Sequence, residues 1–288
     1  MSYKSNFNEA YKNKRKMIKV NSLSGGKTSS FMAEKYPADF NVFALVTIEA
    51  EYCKPKDKSL INYISNKLNK DFIATVESDK TLFVVRDLEQ KIGKNIDWVA
   101  GDTFEKVIEY KKALPNQMWR FCTTKMKLQP IFDFCQQNIK EVVDMRVGFR
   151  YDEKERAERN KTNTTFKTVV SKSKNGRNIW EEIYWRELSF PLVESRVSHL
   201  EVYNWSKKSG LIFPEDSNCV GCFHKPIQQL RKNWDDEPLK MQWFQDMEKL
   251  TNRTFKNGAK YENIKKLGLQ KNFFFGTGSG CSSGFCTD

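Results

Sequence analysis

The residues best suited to chemistry form a short turn, Ser24-Gly25-Gly26-Lys27-Thr28-Ser29, between an apolar β-prone run and a predicted helix. Its two glycines can adopt backbone conformations closed to other residues, which lets an anion approach the main chain. Amide groups at a helix N-terminus favour negative charge, Lys27 adds a cation, and the flanking hydroxyls add hydrogen-bond donors. The turn therefore predicts a phosphate or sulfate site, with a flexible, serine-capped helix start as the alternative interpretation.

The turn is neither of the two common phosphate-binding loops, because it lacks the upstream glycine of G-x-x-x-x-G-K-[ST] and the spacing of G-x-G-x-x-G. It resembles the PP-loop of the adenine nucleotide α-hydrolase superfamily, whose usual form is SGGxDS. That resemblance implies a parallel α/β sheet that binds ATP or a sulfonucleotide. In many members of the superfamily, ATP is cleaved between its α and β phosphates to adenylate a substrate.

Later segments resemble, in order, the motifs of phosphoadenosine phosphosulfate (PAPS) reductase-like proteins. The segment "MWRFCTTKMKLQPIF" is similar to Cys-Cys-x-x-x-K-x-x-P through Cys122, Lys125, Lys127 and Pro130. The segment "VGFRYDEKERAER" is similar to G-x-R-x-D-E-x-x-x-R through Gly148, Arg150, Asp152, Glu153 and an arginine at 156 or 159. A "PL…W…V" passage and the C-x-x-C of "SNCVGC" follow, so the resemblance covers about residues 17 to 225.

Turn and resemblance together define a predicted nucleotide site that takes ATP or a sulfated adenosine nucleotide (PAPS or APS). Its expected residues are Ser24, Gly25, Gly26, Lys27, Thr28, Ser29, Lys125, Lys127, Arg150 and Arg156. Lys27 and Arg150 are the expected catalytic residues, acting through charge stabilisation. Ligands gather at the carboxyl ends of parallel strands, so Arg150 should face the glycine turn; surface salt bridges with neighbouring acids are the alternative. Arg146 is expected to be structural.

The chain also departs from the family pattern. Thr28 stands where many ATP-cleaving relatives carry an Asp associated with Mg²⁺ and pyrophosphate. Glu49 or Glu51 are candidate Mg²⁺ ligands in its place, although exposed acids are the favoured interpretation. The tail "GCSSGFCTD" does not match the Glu-Cys-Gly-Leu-His motif of true sulfonucleotide reductases. The two histidines, His199 and His224, lie far from the turn in sequence, so histidine acid–base catalysis is not expected.

The cysteines allow several assemblies. One is a [4Fe–4S] cluster, which the resemblance supports, held by Cys122, Cys219, Cys222 and either Cys281 or Cys286. Another is structural Zn²⁺ on Cys219, Cys222 and two of His224, Cys281 and Cys286. A redox dithiol and free thiols are further alternatives. The isolated Cys53 and Cys135 are predicted to be packing residues.

Net charge and composition bear on partners. Lys and Arg total 49 against 36 acids, a formal charge of +13, which favours polyanions: nucleotides, tRNA or DNA. The charged stretch at about 151–178 is predicted to be a solvated loop, with contact to a nucleic-acid backbone as the alternative. Core packing is the expected role of a set of tryptophans among apolar neighbours: Trp180, Trp185, Trp205, Trp234 and Trp243.

Strand-like runs, among them "TLFVV" (81–85), alternate with helix-like runs, which predicts an α/β fold: a mostly parallel, Rossmann-like sheet with helices on both faces. The helix-like runs include "KSLINYISNKL" (58–68), which is apolar at helical spacing, and "SHLEVYNWSKKSGL" (198–211), with Ser198 as its N-cap. We expect a basic lead-in (1–16), a PP-loop domain (17–190) and a smaller helical, cysteine-containing region (191–288). No run approaches 18 apolar residues and no secretory signal is evident, so a cytoplasmic protein with no membrane contact is expected.

The leading functional hypothesis is a PAPS reductase-like PP-loop enzyme, a transferase or oxidoreductase of sulfur metabolism. It would catalyse nucleotidyl activation or sulfur transfer, with a sulfur or electron donor protein as a further partner. One alternative is an ATP-dependent enzyme that modifies tRNA or DNA with sulfur. Another is a non-catalytic nucleotide- or nucleic-acid-binding module whose PP-loop has decayed at Thr28.

Overall fold

The computed structural model describes residues 17–215 and 217–269. They form an α/β fold around a five-stranded parallel sheet flanked by helices, which confirms the predicted fold class. The sheet consists of β1 (Lys19–Leu23), β2 (Phe40–Ala44), β5 (Asp97–Val99), β6 (Val143–Arg146) and β9 (Arg186–Ser189). Two antiparallel pairs complete the strands: β3 (Thr47–Ile48) with β4 (Ala74–Thr75), and β7 (Thr165–Lys172) with β8 (Asn178–Tyr184).

Helices connect these strands and make up most of the C-terminal region. Those of the sheet domain are α1 (Lys27–Lys35), α2 (Lys58–Leu68), α3 (Asp79–Ile92), α4 (Phe104–Lys111), α5 (Gln129–Asn138) and α6 (Lys154–Asn160). The later ones are α7 (His199–Lys208), α8 (Ile227–Asp236), α9 (Pro238–Thr251) and α10 (Tyr261–Lys265). Short helical turns lie at Glu51–Cys53, Phe121–Thr123, Thr124–Leu128, Tyr151–Glu153 and Pro191–Glu194.

The order of strands places the ligand crevice. The sheet runs β5-β2-β1-β6-β9, so the chain leaves β1 towards one edge and later returns to β6 on its other side. Such a reversal is a topological switch point, and ligands of open α/β sheets bind outside the carboxyl ends of the two strands that flank it. The turn at 24–29 follows β1, and the segment 147–150 follows β6. The fold therefore brings both predicted anion-binding segments to one crevice.

Alternating residues of the central strands build two apolar layers. Val42 and Ala44 of β2 join one cluster, which includes Phe132 and Cys135 of α5, whereas Phe43 faces the other. The second cluster contains Leu60 and Ile64 of α2 and Leu82, Val85 and Leu88 of α3. Burial of both faces is the usual condition of a parallel sheet.

The C-terminal helices share a core with the sheet domain. One buried cluster contains Val46, Ile48 and Phe104 from the first half of the chain together with Trp243 and Phe244 of α9. Side-chain bonds cross the same boundary, since the Trp243 indole donates to Glu105 at 2.7 Å. The described part of the 191–288 region thus packs against the sheet domain through an apolar interior.

Three local predictions were wrong. The stretch 151–178, expected as a loop, forms a helical turn, α6 and most of the β7–β8 hairpin. The run "TLFVV", expected as a strand, lies within α3, whose apolar side chains recur at helical spacing. Trp180, expected in the core, projects from the hairpin and is 47% exposed, whereas Trp185, Trp234 and Trp243 are buried as expected.

Among the described residues, none of the helices combines the length and the apolar composition that crossing a bilayer requires. The predicted lead-in at 1–16 lies outside the described residues.

Candidate functional site

The turn after β1 has the geometry of an anion-binding loop. Gly25 adopts φ +70°, a conformation that favours glycine, and a Cβ there would lie 2.5 Å from Cγ2 of Thr81. Gly26 is the residue before the first turn of α1, with φ −94° and ψ 167°, and no side chain caps the helix. The first amides of a helix lack partners within it, so those of this nine-residue helix are available to a ligand.

Serine hydroxyls brace the turn from behind. The Ser24 amide donates to Oγ of Ser29 at 3.2 Å, and the two hydroxyls lie 3.1 Å apart. The Ser29 hydroxyl donates to the Gly26 carbonyl at 3.1 Å, and Oγ of Ser217 lies 3.4 Å from Oγ of Ser24. A Cβ on Gly26 would come within 2.7 Å of Ser217 Oγ. The turn is therefore held in one conformation by contacts that a larger residue would disturb.

Arg150 faces the glycine turn, as its position after a strand of the parallel sheet predicts. Its Nη1 donates to Oγ1 of Thr28 at 3.1 Å across the crevice. The same guanidinium contacts the carboxylates of Asp152, at 3.1 Å, and Glu153, at 3.2 Å. Arg150 therefore forms the salt bridges of the alternative interpretation and also lies at the turn. The salt bridges orient its guanidinium towards Thr28.

Arg156 adds a second guanidinium to the same wall. Its Nη1 pairs with Glu153 at 2.9 Å, and its guanidinium carbon lies 4.5 Å from the centre of the Phe149 ring. Burial lowers the pKa of Arg156, although Glu153 opposes that shift. Gly148 lets this segment approach α1, since a Cβ there would lie 3.3 Å from Cα of Ser29.

Helix α7 forms the opposite wall and contributes residues that the sequence did not predict. His199 and Tyr203 line the cleft, and Nζ of Lys27 lies 6.0 Å from the centre of the Tyr203 ring. The His199 amide donates to Asp152 at 3.1 Å, which ties α7 to the Arg150 segment. The expectation that no histidine lies near the turn was wrong, because His199 is about 170 residues away in sequence and is brought back by the fold. The Ser198 N-cap, one residue earlier, was the available signal for this helix start.

These walls enclose a cleft of about 790 Å³, including its open mouth. Its cations are Lys27, Arg150 and Arg156, and its acids are Glu153, already paired with both arginines, and Glu215. The size and the charge suit the anionic end of a nucleotide.

Lys125 and Lys127, predicted to bind nucleotide, lie elsewhere. Lys125 lines a separate shallow pocket with Lys111 and Trp119. Lys127 borders a cavity formed with the cysteines and pairs with Glu77 at 3.4 Å. The Glu77 side chain is fully buried, and burial raises the pKa of its carboxyl group. Although burial opposes it, the nearby carboxylate and thiols raise the pKa of Lys127.

The cavity beside Lys127 collects the predicted metal ligands of the described chain. Cys122, Cys219, Cys222 and His224 all border it, and its volume is about 480 Å³, including its open mouth. The C-x-x-C turn is held firmly: the Val220 amide donates to Val76 at 2.8 Å, and the Tyr261 hydroxyl donates to the Gly221 carbonyl at 2.7 Å. A Cβ on Gly221 would lie 2.3 Å from the Phe244 ring.

Burial favours the protonated form of two thiols of this cavity, those of Cys122 and Cys219. Burial, and next the adjacent Cys222, raises the pKa of Cys122 to about 12. Burial also raises the pKa of Cys219, although Lys127 opposes it. Within residues 17–215 and 217–269, no group of three or more His, Cys, Asp or Glu side chains is arranged to hold a metal ion. Cys281 and Cys286 lie outside the described residues.

The cleft and the cysteine cavity are neighbours. Ser217 lines the cleft, Cys219 lines the cavity, and Asn218 between them is buried and also lines the cavity. One short segment thus carries both the serine that braces the glycine turn and the first thiol of the C-x-x-C pair. A ligand in the cleft and a group in the cavity would lie on either side of it.

Other candidate residues have structural surroundings. Glu49 contacts Thr103 at 2.9 Å and Lys106 at 3.4 Å, and Glu51 begins a short helical turn. Arg146 donates to the carbonyls of Tyr36 and Pro37, as expected of a structural residue. Cys53 and Cys135 are buried in apolar clusters, which agrees with their predicted packing role.

Comparison with known proteins gives a distant relative. An uncharacterized protein of Methanocaldococcus jannaschii is 28% identical over 164 residues, which covers 55% of this chain and 31% of the relative. The chain therefore spans about a third of that relative's own length. No protein-family profile matches the chain.

Proposed function

We propose that the chain is a PAPS reductase-like PP-loop enzyme that binds ATP or a sulfated adenosine nucleotide in the cleft at the switch point. One observation carries the proposal: the uncapped N-terminus of α1 and the Arg150 guanidinium meet at Thr28 across the crevice between β1 and β6. Amides, a guanidinium and the Lys27 ammonium would converge on one anionic group there. The order of the sequence motifs supports an adenine nucleotide as the ligand.

The proposed chemistry is nucleotidyl activation or sulfur transfer. In the activation reaction, an acceptor oxygen attacks the α-phosphorus of ATP, the bond to the bridging oxygen breaks, and pyrophosphate leaves. Lys27, Arg150 and Arg156 would stabilise the charge that develops on the phosphate oxygens. Arg150 contacts Thr28, and many ATP-cleaving members of the superfamily that the turn resembles carry an Asp at this position. This chain would therefore stabilise the developing charge with a guanidinium.

The cysteine cavity is the proposed place for a metal group. Thiolates are the ligands that iron–sulfur clusters and Zn²⁺ prefer, and the cavity offers Cys122, Cys219 and Cys222, with His224 beside them. A bound metal ion would favour the thiolate form of its ligands, which burial opposes at Cys122 and Cys219. Cys281 or Cys286 would complete the set. Iron and zinc analysis after anaerobic purification tests this part, and iron with broad absorbance near about 400 nm would support a cluster.

Calorimetric titration with ATP and with PAPS tests the nucleotide proposal. Lys27→Ala should weaken the tighter of the two ligands about tenfold or more, because a charge-assisted contact to phosphate is lost. Lys35→Ala, at the other end of α1 and paired with Glu34, is the matched control and should leave the affinity unchanged. Equal affinities in the wild type and the Lys27 variant would remove the basis of the proposal.

A second candidate, ATP-dependent sulfur modification of a nucleic acid, keeps the cleft and changes the acceptor. A surface of cations and aromatic rings beside Cys122 favours it. Pyrophosphate release that rises when RNA or DNA is added would distinguish this candidate from the first. Nucleotide binding without any turnover would instead indicate a non-catalytic module.

A further inference from the structure

A surface of aromatic and cationic side chains lies directly beside the cysteine cavity. We call it the Trp119 patch, and its pocket is lined by Lys111, Trp119, Arg120, Phe121, Thr124 and Lys125. The pocket is shallow and open, with a volume of about 580 Å³ including its mouth, and its lining contains three cations and no acid. It is distinct from the nucleotide cleft, which shares none of these residues.

Large apolar side chains of this region face water. Met118 is 94% exposed, Tyr110 is 72% exposed and Trp119 is 49% exposed. The Trp119 ring stands edge-on to Phe121 at 5.0 Å, and Nζ of Lys111 lies 5.8 Å from its centre. Nζ of Lys111 also lies 5.2 Å from the centre of the Tyr110 ring, and exposed apolar groups beside such cations favour a binding surface.

The tryptophan is already positioned. The side chain of Asn116 accepts hydrogen bonds from the Met118 amide at 2.9 Å and the Trp119 amide at 3.0 Å, which closes the loop before the ring. Contact with Phe121 then orients the ring. A ligand would find the platform formed, so little ordering free energy would be lost on binding.

Positive charge in the patch is concentrated and incompletely paired. Nη1 of Arg120 is buried and has no hydrogen-bond partner within the described residues. Burial, and next the proximity of Lys111, lowers the pKa of Lys125, although Asp102 and Asp133 oppose the shift. An incoming phosphate would add negative charge beside the Arg120 guanidinium, which lines the pocket, and would relieve the repulsion between the two lysines.

The local helix explains why the patch and the cavity are back to back. Residues Thr124–Leu128 form a π-helical turn between the short helix at Phe121–Thr123 and α5. Cys122 and Lys127 line the cavity, whereas Phe121 and Lys125 line the patch. Such π turns are frequent at functional sites. A ligand on the patch would therefore contact Phe121, which is next to Cys122 in the sequence.

We propose that the Trp119 patch binds a single-stranded segment of nucleic acid, with a base stacked on Trp119 and phosphates at Lys111, Arg120 and Lys125. Single-strand sites combine such a stacking ring with a cationic surface, and every base offers a π face. The chain's formal charge of +13 would favour the encounter. That this strand is the acceptor of the enzyme's chemistry rests on the proposed function; the binding itself does not.

The β7–β8 hairpin supplies a competing surface and therefore the control. Trp180, 47% exposed, matches Trp119 in exposure and pairs with Val169, and Lys172 lies further along the same hairpin. The base of this hairpin adjoins the start of β6, because the Val143 amide donates to Trp185. That is the amino edge of the sheet, opposite the cleft.

Fluorescence anisotropy of a labelled single-stranded RNA of about 20 nucleotides, and of the DNA of the same sequence, tests the proposal. Trp119→Ala should weaken binding about tenfold, and Trp119→Phe should retain most of it. Lys111→Ala should weaken binding and reduce the salt dependence by about one counterion. The controls Trp180→Ala and Lys172→Ala should match the wild type, and thermal unfolding checks that every variant is folded.

Three outcomes would overturn the proposal. They are no binding of the oligonucleotide by the wild type at about 50 mM salt, equal binding by the wild type and Trp119→Ala, and a loss of binding confined to the hairpin variants. A duplex competitor that displaces the strand as well as unlabelled single strand does would overturn the single-strand assignment. Failure of the proposed function is seen separately, since Lys27→Ala should change ATP binding and leave oligonucleotide binding as it is. Trp119→Ala should do the reverse.

Discussion

Arg150 shows how one side chain can satisfy two interpretations. Its position after β6 allows either an anion ligand or a surface salt bridge, and the sequence leaves both open. In the structure, Asp152 and Glu153 fix the guanidinium while its Nη1 reaches Thr28. The carboxylates therefore hold the guanidinium at the turn, and a planar fork held in this way suits the oxygens of a phosphate.

Arg150→Lys should lower nucleotide affinity about tenfold, because lysine keeps the charge but loses the fork that spans Thr28 and the two acids. Calorimetry with the ligand that the wild type binds more tightly measures the change. Arg159→Lys is the control, since the resemblance allows an arginine at 156 or 159 and the structure places Arg156 in the cleft and Arg159 at an exposed position. A larger loss of affinity in the Arg159 variant would mean that the nucleotide binds at the exposed side of α6 and not in the cleft.

At the scale of elements, the unit from β1 through the turn to α1 depends on a glycine whose conformation and surroundings both exclude a side chain. Gly25 has φ +70° and approaches Thr81 of α3. This contact packs the glycine turn against α3. Gly176, in the β7–β8 loop, has φ +74° with open space around it, so it shares the conformation without the contact.

Gly25→Ala should therefore destabilise the fold more than Gly176→Ala does. A left-handed alanine costs about 1 to 2 kcal/mol in either variant, and forcing a methyl group against Thr81 adds about 1 to 3 kcal/mol in the first. Denaturant unfolding of the three proteins measures the difference. Equal losses would mean that the turn yields easily, and would weaken the case for a preformed anion site.

Local patterns predicted the elements whose signals are local. The helix of α2 follows from its apolar spacing, and the start of α7 follows from Ser198, whose hydroxyl accepts from the Glu201 amide at 3.3 Å. The run "TLFVV" misled because β-branched residues favour strands, whereas burial of Leu82, Val85 and Leu88 on the sheet overrides that preference. Gly93, at φ +59°, ends α3 and was the overlooked signal.

The sequence predicted the position of the cleft residues that follow the strands, but not of the other residues that line the cleft. Ser24 to Ser29 and Arg150 follow β1 and β6 directly, so the rule for parallel sheets locates them. His199, Tyr203 and Ser217 reach the cleft from a helix and a loop far along the chain, and no spacing encodes that return. Lys125 and Lys127 were assigned together from the resemblance, yet the helical turn that carries them places them in different pockets.

At the scale of the whole molecule, a shared apolar core joins the sheet domain to the C-terminal helices that carry the cysteine turn. Buried polar groups cross the same interface: Nζ of Lys240 donates to the Glu77 carbonyl at 2.6 Å and contacts Asp79 at 2.7 Å. The geometry of the cavity therefore depends on how α8, α9 and α10 pack. Glu248 of α9 holds this group together from inside, since its carboxylate accepts the Phe255 amide at 3.0 Å and the Tyr261 amide at 2.8 Å.

Glu248 should make stability depend on pH in a direction that can be worked out. Burial raises its pKa in the folded protein, and the two amide donors oppose this rise without cancelling it. The folded state therefore binds the proton more tightly than the unfolded chain, so stability is greatest below the ordinary glutamate pKa and falls as pH rises through the folded value. The loss is about 1.4 kcal/mol for each pH unit that separates the folded pKa from the unfolded one.

Glu248→Gln does not titrate, so its unfolding free energy should rise relative to that of the wild type as pH rises from about 4 towards 7. Denaturant unfolding across this range measures the gap, with the exposed Glu262→Gln as the control. If the unfolding free energy of the wild type instead rises relative to that of Glu248→Gln over this range, the folded protein stabilises the ionised carboxylate, and the C-terminal helices are held by an ionised anchor.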